Sequence, residues 1–170
     1  MASRRAVPLA SAAVSAGLLV GSCAHRVPQP QTLTDIHEVV LRWAIANAET
    51  NLSPPAAYCV GYTDGQDVAN PLLLEDPSPE LLERLQTLPV PVRPVSGCRI
   101  AGNGMHAVVD TLTNGYGLLF GVGPPSRGSD HITTPVGFLQ GREWGLGWKC
   151  ELRESAGNLI VNRCEVMFHI

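Results

Sequence analysis

The chain has 170 residues with 15 acidic and 12 basic side chains, which gives a formal net charge of −3 at pH 7. Lysine and arginine do not cluster, and this argues against a nucleic-acid partner because nucleic-acid-binding proteins neutralise phosphates with basic patches. The length suits one domain with its own hydrophobic core and is short for two. We therefore expect a single folded domain that does not bind nucleic acid.

The first residues have the pattern of an export signal. Arg4 and Arg5 precede a mostly apolar run over residues 6–20, which is too short and too rich in Ala and Ser for a permanent membrane span. The run leads into Val-Gly-Ser-Cys at residues 20–23, which resembles the lipobox of bacterial lipoprotein precursors. The resemblance implies cleavage before Cys23, a diacylglycerol on its sulfur and acylation of the new amino group. An ordinary secretory signal and a twin-arginine signal stay open as alternatives.

Three segments follow from this interpretation. Residues 1–22 form a lipoprotein signal peptide, residues 23–33 hold lipidated Cys23 and a tether rich in Pro and Gln, and residues 34–170 form one domain. The mature chain of 148 residues has a net charge of −5. It lacks a basic amphipathic segment, so we expect membrane contact through the N-terminal lipid. The resemblance implies the cell envelope, at the periplasmic face of the outer membrane if the cell has two membranes.

Two helices are predicted within the domain. Thr34 occupies an N-cap position, and the apolar residues after it recur at helical spacing, which predicts an amphipathic helix over residues 35–50. The segment 51–55, which contains two prolines, ends it. Further along, Ser78 followed by Pro79 predicts the start of a second, shorter helix, because Ser is a good N-cap and Pro suits the first helical position.

The end of the chain predicts a hairpin. Strands over 148–155 and 159–170 flank a three-residue loop, and a register in which paired positions sum to 314 places Cys150 opposite Cys164. The same register brings together two pairs of opposite charge: Lys149 with Glu165, and Glu151 with Arg163. Gly157 or Asn158 is expected to adopt positive φ in the loop. We predict a disulfide across this hairpin.

The remaining cysteines are then Cys59 and Cys98, which we predict to form a second disulfide. An even number of cysteines in an exported chain favours disulfides. A four-cysteine zinc site is the alternative, but it usually contains closely spaced cysteine pairs, and this chain has none. We expect no metal and no cofactor. The long loop that this bridge closes predicts a stabilisation of about 3 to 4 kcal/mol in the chain-entropy model.

A further hairpin is predicted around Asn114-Gly115. Its strands are 106–113 and 116–123, with Thr113 opposite Tyr116 and Val109 opposite Phe120. A strand over 57–62 and another over 132–140 complete the set, and the glycine-rich segment 141–147 is expected to be flexible. Together these elements predict an α+β fold, in which two helices pack on an antiparallel meander sheet of five to six strands stapled by both disulfides.

The order of elements also resembles small bacterial proteins of α+β type. It is loosely similar in layout to the cone-shaped fold of nuclear transport factor 2 and ketosteroid isomerase. The likeness implies a pocket at the open end of the sheet, where a helix crosses it. No catalytic residue of that family maps onto this chain, so the likeness implies no reaction.

Candidate catalytic residues are those that could line such a pocket: Asp110, His106 and His131. We expect Asp110 to face water on the outer side of its hairpin. If it were buried, desolvation would raise its pKa and suit it to general-base chemistry. His131 follows Asp130 in sequence, but neighbours along a strand point to opposite faces, which argues against a dyad.

The sequence predicts a lipid-anchored envelope protein that acts as a non-catalytic binding or accessory module. The alternative is a small-molecule-binding or isomerase-like enzyme with a cone-shaped pocket, which would use Asp110 or a histidine. A third hypothesis places an envelope-protein or cell-wall partner at the glycine-rich segment around Trp144, since an exposed aromatic side chain is typical of an interaction surface.

Overall fold

The computed structural model describes residues 32–48, 54–101, 107–141 and 144–169. These residues form an α+β fold with two α-helices, two sheets and two short 3-10 helices, at Pro71–Leu73 and Val95–Gly97. The α-helices and strands are α1 (Leu33–Asn47), β1 (Ala57–Tyr62), α2 (Pro79–Leu85), β2 (Val92–Pro94), β3 (Cys98–Ile100), β4 (Val108–Asp110), β5 (Gly117–Val122), β6 (Ser126–Arg127), β7 (Ile132–Gly141), β8 (Trp144–Ser155) and β9 (Asn158–His169).

Helix α1 begins earlier than the sequence predicted. Thr32, and not Thr34, is the N-cap, because its hydroxyl accepts a hydrogen bond from the Asp35 backbone N–H at 3.1 Å. The Asp35 carboxylate accepts in return from the Thr32 backbone N–H at 2.8 Å, which completes a capping box. Helix α2 begins after Ser78, as predicted, with Ser78 Oγ accepting from the Leu81 N–H.

The main sheet is mixed, so the predicted antiparallel meander is wrong. Its strands lie in the order β2-β1-β5-β7-β8-β9, with β6 pairing with β7, and β1 runs parallel to both β2 and β5. Residues 63–91, which contain α2, form the crossover that a parallel pair needs. Strands β3 and β4 form a separate two-stranded sheet. The described residues therefore carry more strands than the five or six predicted.

The main sheet has apolar side chains on both faces, as alternation along its strands requires. One face packs against α1 and includes Val60, Phe120 and Trp148. The other face carries a smaller cluster around Cys59 and Leu119, which β4 covers. Strand β5 is buried along its whole length because it lies in the middle of this sheet.

The closing hairpin has the predicted register around its disulfide. Cys150 lies opposite Cys164, and both predicted charge pairs are register partners. The register shifts by one residue between Glu151 and Leu152, so the loop shortens to the two residues Ala156 and Gly157. Ala156 and Gly157 adopt positive φ of 50° and 79°, as a two-residue hairpin turn requires. Asn158, expected in the loop, begins β9 instead.

The hairpin predicted around Asn114-Gly115 does not form in the predicted register. Val109 bridges to Tyr116 and not to Phe120, while β5 pairs with β1 and β7. The connection from Asp110 to Gly115 is a compact turn, in which the Asp110 N–H donates to the Gly115 carbonyl at 3.0 Å. Strand β4 pairs with β3 instead, as part of the separate small sheet.

The glycine-rich segment 141–147 is strand at both ends, contrary to the prediction. Strand β7 extends to Gly141 and β8 begins at Trp144. Gly147 lies against the Phe168 ring, and a β-carbon at this position would collide with that ring. A glycine here therefore reflects close packing between β8 and β9.

Candidate functional site

A groove of about 670 Å³ lies on the face of the main sheet opposite α1. We call it the disulfide groove because the Cys59–Cys98 bridge lies in its wall. Its volume lies in the range of small-molecule sites, about 300 to 1,000 Å³. The residues that line it are Pro71, Leu72, Leu74, Glu75, Asp76, Val95, Ser96, Cys98, Arg99, Ile100, Val108 and Leu119.

Covalent and polar contacts hold the walls of the groove together. The disulfide between Cys59 on β1 and Cys98 on β3 joins the main sheet to the small sheet. The Asp76 carboxylate accepts hydrogen bonds from the Ser96 backbone N–H at 2.8 Å and from its hydroxyl at 2.7 Å. Glu75 pairs with Tyr62 through two backbone hydrogen bonds, which fixes the neighbouring segment to the end of β1. The walls of the groove are thus held together by a disulfide, by hydrogen bonds to the Asp76 side chain and by backbone hydrogen bonds.

The groove has an apolar floor and a mixed rim. Leu119 and Val108 are buried beneath it, whereas the Leu72 side chain at its edge is 90% exposed. Glu75 and Arg99 add opposite charges to the lining. An apolar floor with a few polar groups is typical of sites that bind an apolar molecule by burial and orient it by its polar end.

Apart from Cys98, which was predicted to form a disulfide, none of the residues that line the groove was predicted as a site residue. The floor comes from strands that are distant in sequence, and the pairing between β1 and β5 that brings them together is parallel. One signal was present in the sequence: Leu72 and Leu73 follow Pro71 in a segment that cannot continue a helix or a strand from before it. An apolar run in a connecting segment either packs on the rest of the fold or forms an exposed apolar surface, and here Leu74 is buried whereas Leu72 is exposed.

Asp110 is buried, which differs from the expectation that it faces water. Its carboxylate accepts hydrogen bonds from the Leu112 N–H at 3.2 Å and the Thr113 hydroxyl at 2.7 Å, and Arg93 Nε lies 3.7 Å away. Burial alone would raise the pKa of Asp110, but these hydrogen bonds and the Arg93 charge outweigh burial and lower it. The net shift is therefore downward, in contrast to the raised pKa hypothesised for a buried Asp110. Asp110 is absent from the lining of the disulfide groove, and its contacts suit it to organising the turn.

His131 and Asp130 are in contact, although the argument from strand alternation opposed this. His131 Nδ1 lies 2.7 Å from Asp130 Oδ1, and this hydrogen bond lowers the pKa of the Asp130 carboxyl. Alternation does not apply because β7 begins only at Ile132, so both residues lie in the bend before it. They line a cleft of about 280 Å³, with side chains that are 35% and 68% exposed. Such exposure makes them a solvated surface pair.

Trp144, the predicted binding residue, lies apart from the groove. Trp144 begins β8, is 36% exposed and packs edge-on against Phe138 with ring centroids 5.8 Å apart. His106 lies outside the described residues, and so does Cys23. Of the predicted catalytic residues that the structure describes, Asp110 and His131, neither lines the disulfide groove.

His37 is a buried histidine that the sequence did not single out. Its Nε2 lies 3.2 Å from the Gly123 carbonyl oxygen, and its ring centroid lies 5.4 Å from that of Tyr62. Burial lowers the pKa of His37. It lines a cavity of about 160 Å³ together with Tyr62 and Asp76, and Asp76 also lines the disulfide groove. Asp76 thus lines both the small cavity beside α1 and the disulfide groove.

Both predicted disulfides are confirmed: Cys59 with Cys98, and Cys150 with Cys164. Across residues 32–48, 54–101, 107–141 and 144–169, no three or more His, Cys, Asp and Glu side chains converge in a way that could hold a metal ion. In the same residues, neither helix combines the length and the apolar character of a membrane span. Comparison of the chain with protein-family models, curated proteins and solved structures finds no match.

Proposed function

We propose that this chain is a lipid-anchored protein of the bacterial cell envelope whose domain acts as a non-catalytic binding module. In this proposal residues 1–22 are removed on export and Cys23 carries the lipid. The lipobox-like sequence supports the anchor. The two disulfides support export, because such bridges persist in oxidising compartments.

The observation that carries the binding role is the disulfide groove. Its floor is apolar, its volume suits a small molecule, and its polar groups are at the rim. We propose that it receives an apolar chain with a polar end, an acyl chain being the chemical class that fits best. The buried part would be held by the floor, and Arg99 at the lining offers a cation to a carboxylate or phosphate end.

The anchor is tested by mass spectrometry of the protein purified from membranes, which reports the N-terminal lipid and both sulfur bridges in one sample. The variant Cys23→Ala should leave the membrane fraction and stay folded, because the anchor and the domain are separate segments. An unacylated wild-type protein, or retention of Cys23→Ala in the membrane fraction, would contradict the anchor.

The groove is tested with a fluorescent fatty acid as the probe. Val95→Trp adds a large side chain to the lining and should weaken probe binding by about tenfold or more, since it occupies space the acyl chain needs. The matched control is Val166→Trp on β9, where the native side chain is 52% exposed and away from the groove. Ile100→Trp is the second groove variant, in case Val95→Trp does not fold.

Unchanged probe binding in a folded groove variant would contradict the binding role. Equal weakening in Val166→Trp would contradict it as well, because the probe would then bind elsewhere.

A further inference from the structure

We propose that the domain also rests on the bilayer directly, through three exposed leucines at the end where β1 finishes. These are Leu33, Leu72 and Leu73, which we call the leucine end. The inference rests on the proposed lipid anchor at Cys23. It goes further by giving the folded domain a fixed orientation and its own contact with uncharged lipid.

The three leucines lie at one end of the fold. Leu33 is the first residue of α1 and lines the same small cavity as Tyr62, the last residue of β1. The 3-10 helix that holds Leu72 and Leu73 leads directly into Glu75, whose backbone pairs with Tyr62. All three leucines are therefore close to the C-terminal end of β1.

Their exposure is large for apolar side chains. Leu33 is 50% exposed, Leu72 90% and Leu73 52%. A single exposed leucine is ordinary on a protein surface, but several at one end mark an interaction surface. Leu72 also belongs to the lining of the disulfide groove, so whatever covers this end also meets the rim of the groove.

The short segment before α1 favours the lipid bilayer as the surface that covers the leucine end. Nine residues separate Cys23 from Leu33, and a fully extended chain of that length reaches at most about 35 Å. The start of α1 is thus held within one domain width of the lipid surface. A tethered contact forms at high effective concentration, so even weak burial of leucine in the interface is populated.

Charge at this end selects the kind of lipid. Glu75 and Asp76 follow the leucines in sequence, and both are exposed. Carboxylates repel anionic headgroups, so the contact is expected with zwitterionic lipid. For this reason phosphatidylcholine is the appropriate probe.

The test places a tryptophan at the leucine end of the full lipidated protein. Leu73→Trp is reconstituted into phosphatidylcholine vesicles whose acyl chains carry bromine, which quenches tryptophan on contact. We expect about twofold more quenching than in the wild type, because Leu73 lies outside the lining of the disulfide groove and would meet brominated chains only within the interface. Leu73 is 52% exposed, so the substitution should not disturb the fold.

Leu112→Trp is the matched control. Leu112 is 73% exposed, and its turn lies near the beginning of β1, because the Tyr116 carbonyl accepts a hydrogen bond from the Ala56 N–H at 2.7 Å. It is therefore at the opposite end of this strand and should be quenched no more than the wild type. Equal quenching at positions 73 and 112 would overturn the proposed orientation.

A second measurement separates the two proposals. Sedimentation with vesicles and the mass of the N-terminus report the anchor, whereas quenching and slowed hydrogen exchange at residues 72–74 report the leucine contact. An acylated protein that sediments, without quenching or slowed exchange at the leucine end, overturns this inference and leaves the anchor standing. A protein that is not acylated overturns both.

Discussion

The closing hairpin and the disulfide groove each contain one disulfide, but one bridge links strands that are already paired and the other links two separate sheets. Cys150–Cys164 joins β8 to β9, which already pair along their lengths, and its cysteines are 14 residues apart. Cys59–Cys98 joins two different sheets across 39 residues. The hairpin bridge reinforces a contact that the backbone makes anyway. The groove bridge creates a contact between layers, so the shape of the groove depends on it.

The largest expected effect comes from removing each bridge in turn. Cys59→Ala with Cys98→Ala should lower the free energy of unfolding by about 4 kcal/mol, and Cys150→Ala with Cys164→Ala by about 3 kcal/mol, because the longer loop gains more entropy when it is released. Urea titration of each double variant measures the difference. The groove double variant should also lose binding of the fluorescent fatty acid. A larger loss of stability in the hairpin variant would contradict the prediction that the groove bridge contributes more.

A smaller loss of stability is expected when the buried carboxylate in each region is replaced by alanine. Asp110→Ala should cost about 2 kcal/mol, because it leaves the Leu112 N–H and the Thr113 hydroxyl without their acceptor and removes the negative charge 3.7 Å from Arg93 Nε. Glu151→Ala in the hairpin should cost less.

The difference arises from the partners of each carboxylate. Glu151 accepts from Arg153 and Arg163, whose side chains are 50% and 64% exposed, so water can replace the carboxylate. Thermal unfolding of the two variants at pH 7 compares the costs directly. Equal costs would show that the groove side is no more dependent on its buried acid than the hairpin is.

The smallest expected effect is a pH dependence that comes from His37, which shares a cavity with Asp76 of the groove lining. Burial lowers the pKa of His37 below its ordinary value of 6.5, so below pH 6.5 the unfolded chain binds more protons than the folded one. Stability should be greatest above pH 6.5 and should decline as the pH falls from there toward the lowered pKa.

His37→Gln should remove this decline, and urea titrations from pH 7.5 to 5 would measure it. The matched control is His169→Gln at the exposed end of β9, which should leave the decline in place. A decline that persists in His37→Gln would assign it to another group.

The same comparison explains what could be predicted from the sequence. The register around Cys150 and Cys164 was predictable because β8 and β9 are adjacent in sequence and their charge pairs agree with one alignment. The groove was not, because β1 pairs in parallel with β2 and β5 across long crossovers, and side-chain patterns do not encode such pairings. The cysteine count still identified the Cys59–Cys98 bridge by elimination.

Asp110 shows why the local prediction failed beside the groove. Asn114-Gly115 is a strong hairpin signal, but Asp110 organises the preceding residues into a compact turn that fixes a different register. A side chain that hydrogen-bonds to the nearby backbone favours a compact turn over strand pairing. The sequence alone does not determine which of the two structures is more stable.

Helix α1, the first element described, packs against β5, β7 and β9, the last strand of the chain. A polypeptide that emerges N-terminus first, from a ribosome or a translocation channel, therefore leaves the part of α1 that β9 covers exposed to water until residues 158–169 have emerged as well.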